Sequence, residues 1–374
     1  MLLSLSIVAC AMWLGLLLLP FRPWSTRESL APARLHSPPE LGGVTVLIPA
    51  RDEAGGIALT LAGVAAQGHV AKILLIDDQS TDGTADIARG LQLVGLEIVA
   101  GATPGPEWSG KLWALHQGLP RVDTPYLLLL DADIQLAPGI LQALLEKLDN
   151  ERRDLVSVMA HLSMASRMEK LLIPPFIYFF KLIYPFALAN GPSRWVAAAA
   201  GGCILIRTDM LHRIGGFAAL RGALIDDCTL ARRVKDAGGS TWLGLSLGVK
   251  AVRPYEGLPE IWNMVARTAF TQLHYSSALL LLCTMLMGLS FVVPVVAVLL
   301  PGSDARTAGL LALLLMMASY LPVIRYYRLG WGWPATLPLA AVLYLGMTWT
   351  SALRYWRGER SRWKNRIYNR AGHD

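Results

Sequence analysis

Apolar positions are distributed unevenly, in long runs at the two ends of the chain and in short, regularly interrupted runs between them. Residues 1–19 are almost wholly apolar and lead into Pro20, Arg22 and Pro23 without a small-residue cleavage signature, which predicts an uncleaved membrane anchor over residues 1–20. Arg22, Arg27 and Arg34 follow directly, and this positive excess places the next domain on the cytoplasmic side of an inner, cytoplasmic membrane. Residues 21–42, rich in Pro and Ser, read as a linker.

From 43 to 272 the apolar runs shorten and alternate with helix-like stretches, the pattern of a doubly wound α/β domain. Strands are expected at 44–48, 72–76 and 126–130. Each precedes polar or small residues and then a helical stretch, so three strand ends should gather on one edge of the sheet, where such folds bind ligands. Residues 168–189 carry Phe176, Tyr178, Phe179, Phe180, Tyr184 and Phe186, but Lys170, Lys181, Pro174, Pro175 and Pro185 break them up. That run is too short to span a bilayer; interfacial helices are the reading its aromatics and lysines favour, with buried core as the alternative.

Three further apolar segments, 276–300, 308–324 and 335–353, come close to the length a bilayer requires and form a multi-pass region over 273–353. Three crossings would put the basic tail, 354–374, with Arg354, Arg357, Arg360, Arg362, Lys364, Arg366 and Arg370, outside, whereas the positive-inside rule wants it in the cytoplasm. An even number of crossings satisfies both ends, and the prolines at 334 and 338 make the last segment a candidate re-entrant or interfacial piece.

Composition agrees with partial residence in lipid: 54% of residues are apolar and only 16% charged. The net charge of +7 does not imply nucleic acid, because the basic residues are scattered or flank apolar spans without aromatic interleaving. Cys10, Cys203, Cys228 and Cys283 have no paired spacing, which predicts reduced thiols and no zinc site. With the histidines equally scattered, a carboxylate site for a hard cation is the better expectation.

Three acidic pairs supply that chemistry: Asp77 with Asp78, Asp131 with Asp133, and Asp226 with Asp227. The first two follow apolar strands directly. Carboxylates at a strand's C-terminal end, two of them one residue apart, can share a divalent cation and its phosphate ligands, so Mg2+ or Mn2+ on a diphosphate follows. Asp82 and Asp86 read instead as a cap or surface face. A haloacid-dehalogenase-type phosphatase is disfavoured, since Asp133 precedes Ile134 and Gln135 deep in the domain.

The segments 44–53 (Val-Thr-Val-Leu-Ile-Pro-Ala-Arg-Asp-Glu), 76–84 (Ile-Asp-Asp-Gln-Ser-Thr-Asp-Gly-Thr) and 131–133 (Asp-Ala-Asp) resemble those of family 2 glycosyltransferases. So do 110–118 (Gly-Lys-Leu-Trp-Ala-Leu-His-Gln-Gly), 201–207 and 215–217. The resemblance covers about 43–272 and implies an inverting enzyme of the GT-A fold, with transmembrane helices at both ends of this chain. It implies that Pro49, Arg51 and Glu53 lie at the nucleotide-binding strand end, that Asp78, with Asp77 beside it, receives the base, and that Lys111 lies near the phosphates. A solvated helix-start lysine is the alternative for Lys111. By the same resemblance Asp131 faces ribose and metal, Asp133 ligates the metal, and Asp226-Asp227 stands for the family's Glu-Asp pair, with Asp227 as general base on the acceptor hydroxyl; a structural helix-start acid is the alternative for Asp227.

Where lipid glucosyltransferases and processive synthases carry an Arg-Trp motif, this chain has Arg267-Thr268, so only the arginine remains to meet the diphosphate, or to sit at a membrane surface. The missing tryptophan argues against a processive polysaccharide synthase. The anchor, Gly105 to Lys111, the Pro-Pro-Phe stretch at 174–176, residues 267–272 and the C-terminal apolar segments most resemble hopanoid-biosynthesis-associated membrane glycosyltransferases. The implied partners are a nucleotide-diphospho-sugar donor, a lipid acceptor and the membrane, with no nucleic acid. Ceramide-type and polyprenyl-phosphate acceptors remain open, as does a catalytically silent scaffold that binds nucleotide sugars.

Overall fold

The computed structural model describes residues 1–35, 39–223, 225–363 and 366–369. Lys364 and Arg370 of the basic tail, and 36–38 of the linker, lie outside the described residues. The chain forms two compact units, one of residues 28–163 and 186–254, the other of 1–27, 164–185 and 255–374.

The first unit is built on an eight-stranded mixed sheet. Its strands are β1 (Glu40–Ala50), β2 (His69–Asp77), β3 (Leu96–Ala100), β4 (Tyr126–Leu130), β5 (Ile134–Leu136), β6 (Leu155–His161), β7 (Cys203–Arg207) and β8 (Thr241–Ala251). They lie in the order β3-β2-β1-β4-β7-β6-β8-β5. The three expected strands fall inside β1, β2 and β4. They read as unbroken apolar runs because both faces are covered: Val46, Ile48, Leu75 and Leu128 enter one core, while Leu47, Leu74 and Leu129 enter the other.

β1, β2, β3 and β4 run parallel, with β2 and β4 on opposite sides of β1. The chain therefore reverses its direction of travel across the sheet at β1, which opens a crevice beyond the strand ends. β7 pairs antiparallel with β4, Leu130 opposite Cys203, so its entry loop meets the exit of β4. The sheet is thus α/β but mixed, since the stretch after β4 returns antiparallel before β6 and β8 pair parallel. Part of the segment expected as a linker runs along this unit: Leu30 N–H donates to Leu245 O at 2.8 Å and Ala33 N–H to Gly139 O at 3.0 Å. Gly139, at φ +84°, is required there, because a Cβ would fall 2.3 Å from Ala33 O.

The second unit is mainly helical, with one antiparallel strand pair, Glu359–Trp363 and Arg366–Asn369. Leu2–Leu18 is an apolar helix of 17 residues, about 25 Å long at ~1.5 Å per residue, at the lower limit for a span. Among the described residues, three helices are long and apolar enough to cross a membrane: Ser277–Leu299, Ser303–Tyr326 and Trp333–Trp356. The aromatic stretch forms one helix, Arg167–Ile183, started by a capping box between Ser166 and Glu169, with Pro174 and Pro175 inside it. Tyr178 is buried and its hydroxyl bonds Ser319 Oγ at 2.7 Å, Tyr344 donates to Leu172 O at 2.8 Å, and Phe179 meets Tyr344 edge-on at 5.1 Å. One face of this helix is therefore packed within the unit, while Phe176, Phe179 and Phe180 keep partial exposure. Phe186 starts a short separate helix, Phe186–Ala189, in the sheet unit.

Candidate active site

The site is built at the crevice beside β1. At the exit of β1, Pro49 is buried and Arg51 turns across to the end of β2, donating from Nη1 to Asp78 O at 2.6 Å, with Asp78 Oδ2 at 3.7 Å. Asp78 is 1% exposed, so this guanidinium neutralises a buried carboxylate. Asp77 serves the turn: its Oδ1 accepts Ser80 N–H at 3.3 Å and its carbonyl accepts Gly101 N–H at 2.8 Å. Glu53 N–H donates to Thr84 Oγ1 at 2.9 Å, and Glu53 O accepts from Gly56 and Ile57 to start the helix Ile57–Ala65. Asp82 organises this loop, accepting Ala54 N–H at 2.9 Å and Thr84 N–H at 3.0 Å. Burial acts to raise its pKa, but the hydrogen bond from the Thr84 hydroxyl and then these N–H bonds prevail and hold it below the usual range. Asp86 pairs with Arg89 on the surface.

The helix Gly110–Gly118 begins at Ser109, whose hydroxyl accepts Leu112 N–H at 3.2 Å, and this cap fixes Lys111 in the first turn. Lys111 Nζ lies 2.6 Å from Asp131 Oδ1, 4.0 Å from Asp226 Oδ2 and 3.4 Å from Gly201 O. Asp131 leaves β4 with its N–H on Gly202 O at 3.1 Å, so the antiparallel entry of β7 brings Gly201 to the same place. A Cβ on Gly201 would stand 3.2 Å from Lys111 Nζ and 3.3 Å from Asp227 Oδ2; only glycine leaves these groups in place. Asp226 and Asp227 open the helix Asp226–Asp236, where the positive end of the helix favours them, and Asp227 Oδ1 accepts Cys228 N–H at 2.7 Å.

Three carboxylates thus surround one ammonium. Burial acts against the charge on Lys111, but Asp131, Asp226 and Asp227 outweigh it and hold the ammonium well above the ordinary lysine range. Burial raises Asp131, an effect that Lys111 opposes and Asp133 reinforces. Asp227 is pushed up to about 6, first by burial and then by the neighbouring Asp226, against the pull of Lys111 and of backbone N–H groups at Cys228 and Gly201. Pro49, Lys111, Asp131, Gly201, Asp226 and Asp227 line one pocket whose apolar floor includes Phe217 and Leu220.

Asp133 follows Asp131 by one residue on the same strand exit and is half-buried. Among the described residues no group of three or more His, Cys, Asp and Glu is arranged to hold a metal unaided. Asp131 and Asp133 nevertheless suit a hard cation that arrives on phosphate oxygens, because such ions need only one or two protein carboxylates. Arg267 belongs to the helical unit, exposed just after the helix Leu258–Ala266. Phe217 entered the sequence reading only within the 215–217 motif, and Leu220 in the pocket floor was missed, as was Lys235. The last had a signal: it falls in register with buried Ala231 and Val234 on one helix face.

Residues 45–215 match the sequence model of Glycosyl transferase family 2. The 4,4'-diaponeurosporenoate glycosyltransferase of Staphylococcus haemolyticus is 32% identical over 95 residues, 25% of this chain and 24% of that protein, and its Staphylococcus aureus counterpart is 33% identical over 91 residues, 24% of each. The chain thus spans about a quarter of the length of the curated relatives it matches. Among solved structures it is similar to the mannosyltransferase PcManGT from Pyrobaculum calidifontis, in complex with GDP-Man and Mn2+, at a TM-score of 0.55 and 19% identity, covering 96% of this chain and 100% of that one. The fold is GT-A, with three apolar helices towards the C-terminus and a short apolar helix at the N-terminus.

Proposed function

We propose that this chain, which carries a family 2 glycosyltransferase domain over residues 45–215, is a membrane-bound inverting enzyme that moves a sugar from a nucleotide-diphospho-sugar to a lipid hydroxyl. The observation that carries the reading is the convergence of Lys111, Asp131, Asp226 and Asp227 on one pocket at the sheet's crevice. Pro49, Arg51, Glu53 and Asp77, with Asp78 buried behind Arg51, would form the adjoining wall for the nucleotide. Lys111 supplies a point charge for the donor phosphates. Asp131 and Asp133 would hold Mg2+ or Mn2+, which, when bound, would stabilise the departing diphosphate. Asp227, raised to about 6, is ionised at neutral pH yet basic enough to take a proton from an attacking hydroxyl.

The same electrostatics bear on the acceptor. A carboxylate acceptor, as the curated relatives' name implies for them, would enter a pocket where three acids face one ammonium, and would need no base. An alcohol suffers no repulsion there and does need one, so a neutral polycyclic terpenoid, such as a hopanoid, or a ceramide-type lipid fits this chain better. The three candidate spans support a membrane location, and Arg22 and Arg27 after the first helix support a cytoplasmic side for the transferase unit. The test is to incubate the purified protein with a panel of nucleotide sugars and membrane lipid extract, then search by mass spectrometry for lipids heavier by one sugar. Absence of any such product with every donor, despite measurable donor binding, would favour the silent scaffold instead.

A further inference from the structure

Lys235 stands at the far end of the helix that begins with Asp226 and Asp227, eight residues beyond Asp227 and thus about 12 Å along the axis at ~1.5 Å per residue. It is 4% exposed. Its ammonium spends all three donors on one loop: Nζ donates to Gly191 O at 3.0 Å, Ser193 O at 3.0 Å and Val196 O at 2.7 Å. Arg232, one turn earlier, adds bonds to Arg194 O and, at 3.1 Å, to Trp195 O. Nothing about a helix end demands this, since a lysine in a last turn ordinarily reaches into water. Burial, together with the charges of Arg232 on its own helix and Arg153 from the turn before β6, pushes Lys235 down to about 8, yet the ammonium stays where the carbonyls are.

The loop it grips leads straight to the pocket. Ala197, Ala198 and Ala199 are buried, and Ser157 of β6 then clasps Ala200, accepting its N–H at 2.8 Å and donating to its carbonyl at 3.0 Å. The next residue is Gly201, whose carbonyl meets Lys111 and whose N–H steadies the Asp227 carboxylate. One helix therefore holds the acid at its first turn and grips, at its last, the loop that presents Gly201 to that acid.

We infer that Lys235 is a positioning residue: it locks residues 190–196 so that the Gly201 peptide stays in register with Asp227 and Lys111. It acts through Gly201 and not on the substrate. The inference rests on Asp227 being the general base. Its test is the pH profile of sugar transfer by the full chain carrying Lys235→Met, with nucleotide-sugar affinity measured by calorimetry and Asp227→Asn run beside it. Loosening Gly201 removes an N–H that favours ionised Asp227, so the acid midpoint should climb above about 6 by roughly half a unit to one unit. Turnover at pH 7 should fall about tenfold or more, while donor affinity holds within about twofold. A folded Lys235→Met enzyme with an unmoved acid midpoint and unchanged turnover would overturn the inference. If Asp227→Asn itself transfers at the native rate, the base assignment fails instead.

Should Lys235→Met not fold, a spin label at Trp195→Cys, in a chain with Lys235 native and Cys10 and Cys283 replaced, reads the lock directly. Trp195 is 88% exposed, so the label disturbs no packing. Its mobility should rise with a midpoint near pH 8 as Lys235 loses its proton, since the arginines around it stay charged. No change in mobility between pH 7 and 9.5 would overturn the lock.

Discussion

Replacing Lys111 by Met tests the charge balance of the pocket. The Gly201 Cβ position lies 3.2 Å from Lys111 Nζ and 3.3 Å from Asp227 Oδ2, so the sum of those two distances bounds their separation at 6.5 Å. At an effective dielectric of about 20, a unit charge at that distance is worth about 2.5 kcal/mol, nearly two pKa units. The lysine side chain is 23% exposed and water screens part of this, so about one unit is a fair expectation. Asp227 would then move from about 6 to about 7. At pH 6 the ionised fraction falls from about a half to about a tenth, a fivefold loss, whereas at pH 8 it barely changes. Weaker binding of the donor phosphates without the ammonium lowers the rate at every pH and leaves the midpoint alone. The assay is kcat/KM for transfer between pH 5 and 9 in native and Lys111→Met enzyme. A flat reduction with an unmoved acid limb would refute either the coupling or the role of Asp227.

Asp227→Asn should cost about two to four orders of magnitude in turnover while donor binding persists. The same variant should melt higher than the native chain above pH 6: the folded acid keeps its proton between its unfolded value of 3.8 and about 6 while the unfolded one loses it, so native stability falls as pH rises through that window. Asp133→Asn should weaken metal-dependent donor binding without changing the melting temperature, and full activity of the native enzyme in excess chelator would remove the metal from the reading. Arg51→Ala strands the 1%-exposed Asp78 without its guanidinium, and should destabilise the sheet unit by about 3 kcal/mol in chemical denaturation; a change under about 1 kcal/mol would show that Asp78 does not depend on it.

How much of this could be read from the sequence depended on what each residue does to the local pattern. β1, β2 and β4 were legible because a strand covered on both faces leaves a continuous apolar run, with an aspartate marking its exit at Asp77 and Asp131. β5 has only three residues, and β8 carries Gly244 and Gly248 within its apolar run, so neither stands out. The antiparallel turn of β7 was visible only as a motif, because strand direction leaves no trace in composition. Lys111 and the Asp226-Asp227 pair lie near helix starts 115 residues apart in sequence, and only the return of β7 explains why Gly201 touches both. Lys235 was passed over because a lysine in an amphipathic helix is ordinarily solvated, and its partners are backbone carbonyls that no side-chain pattern records.

The basic residues of the helical unit bear on how many of its helices cross. Arg22 and Arg27 follow the first helix, Arg325 ends the second long helix and Arg328 follows it, and Arg354 and Arg357 end the last. The positive-inside rule puts all three groups on one side, which two crossings by Ser277–Leu299 and Ser303–Tyr326 achieve, provided that Trp333–Trp356 returns along the cytoplasmic face. That helix is the least apolar of the three and starts with Pro334 and Pro338 near its first turns. Its end is tied to short amphipathic helices: Trp262 Nε1 donates to Thr350 Oγ1 at 3.1 Å, Phe270 N–H to Ser351 Oγ at 3.0 Å, and Arg354 to Asn263 Oδ1 at 2.6 Å. Such polar bonds suit headgroup depth better than hydrocarbon. An Arg357→Cys probe, with Cys10 and Cys283 replaced, should therefore react with impermeant maleimide only in inside-out membrane vesicles. Labelling from the outside would mean that Trp333–Trp356 crosses, and would set the basic tail against the charge rule.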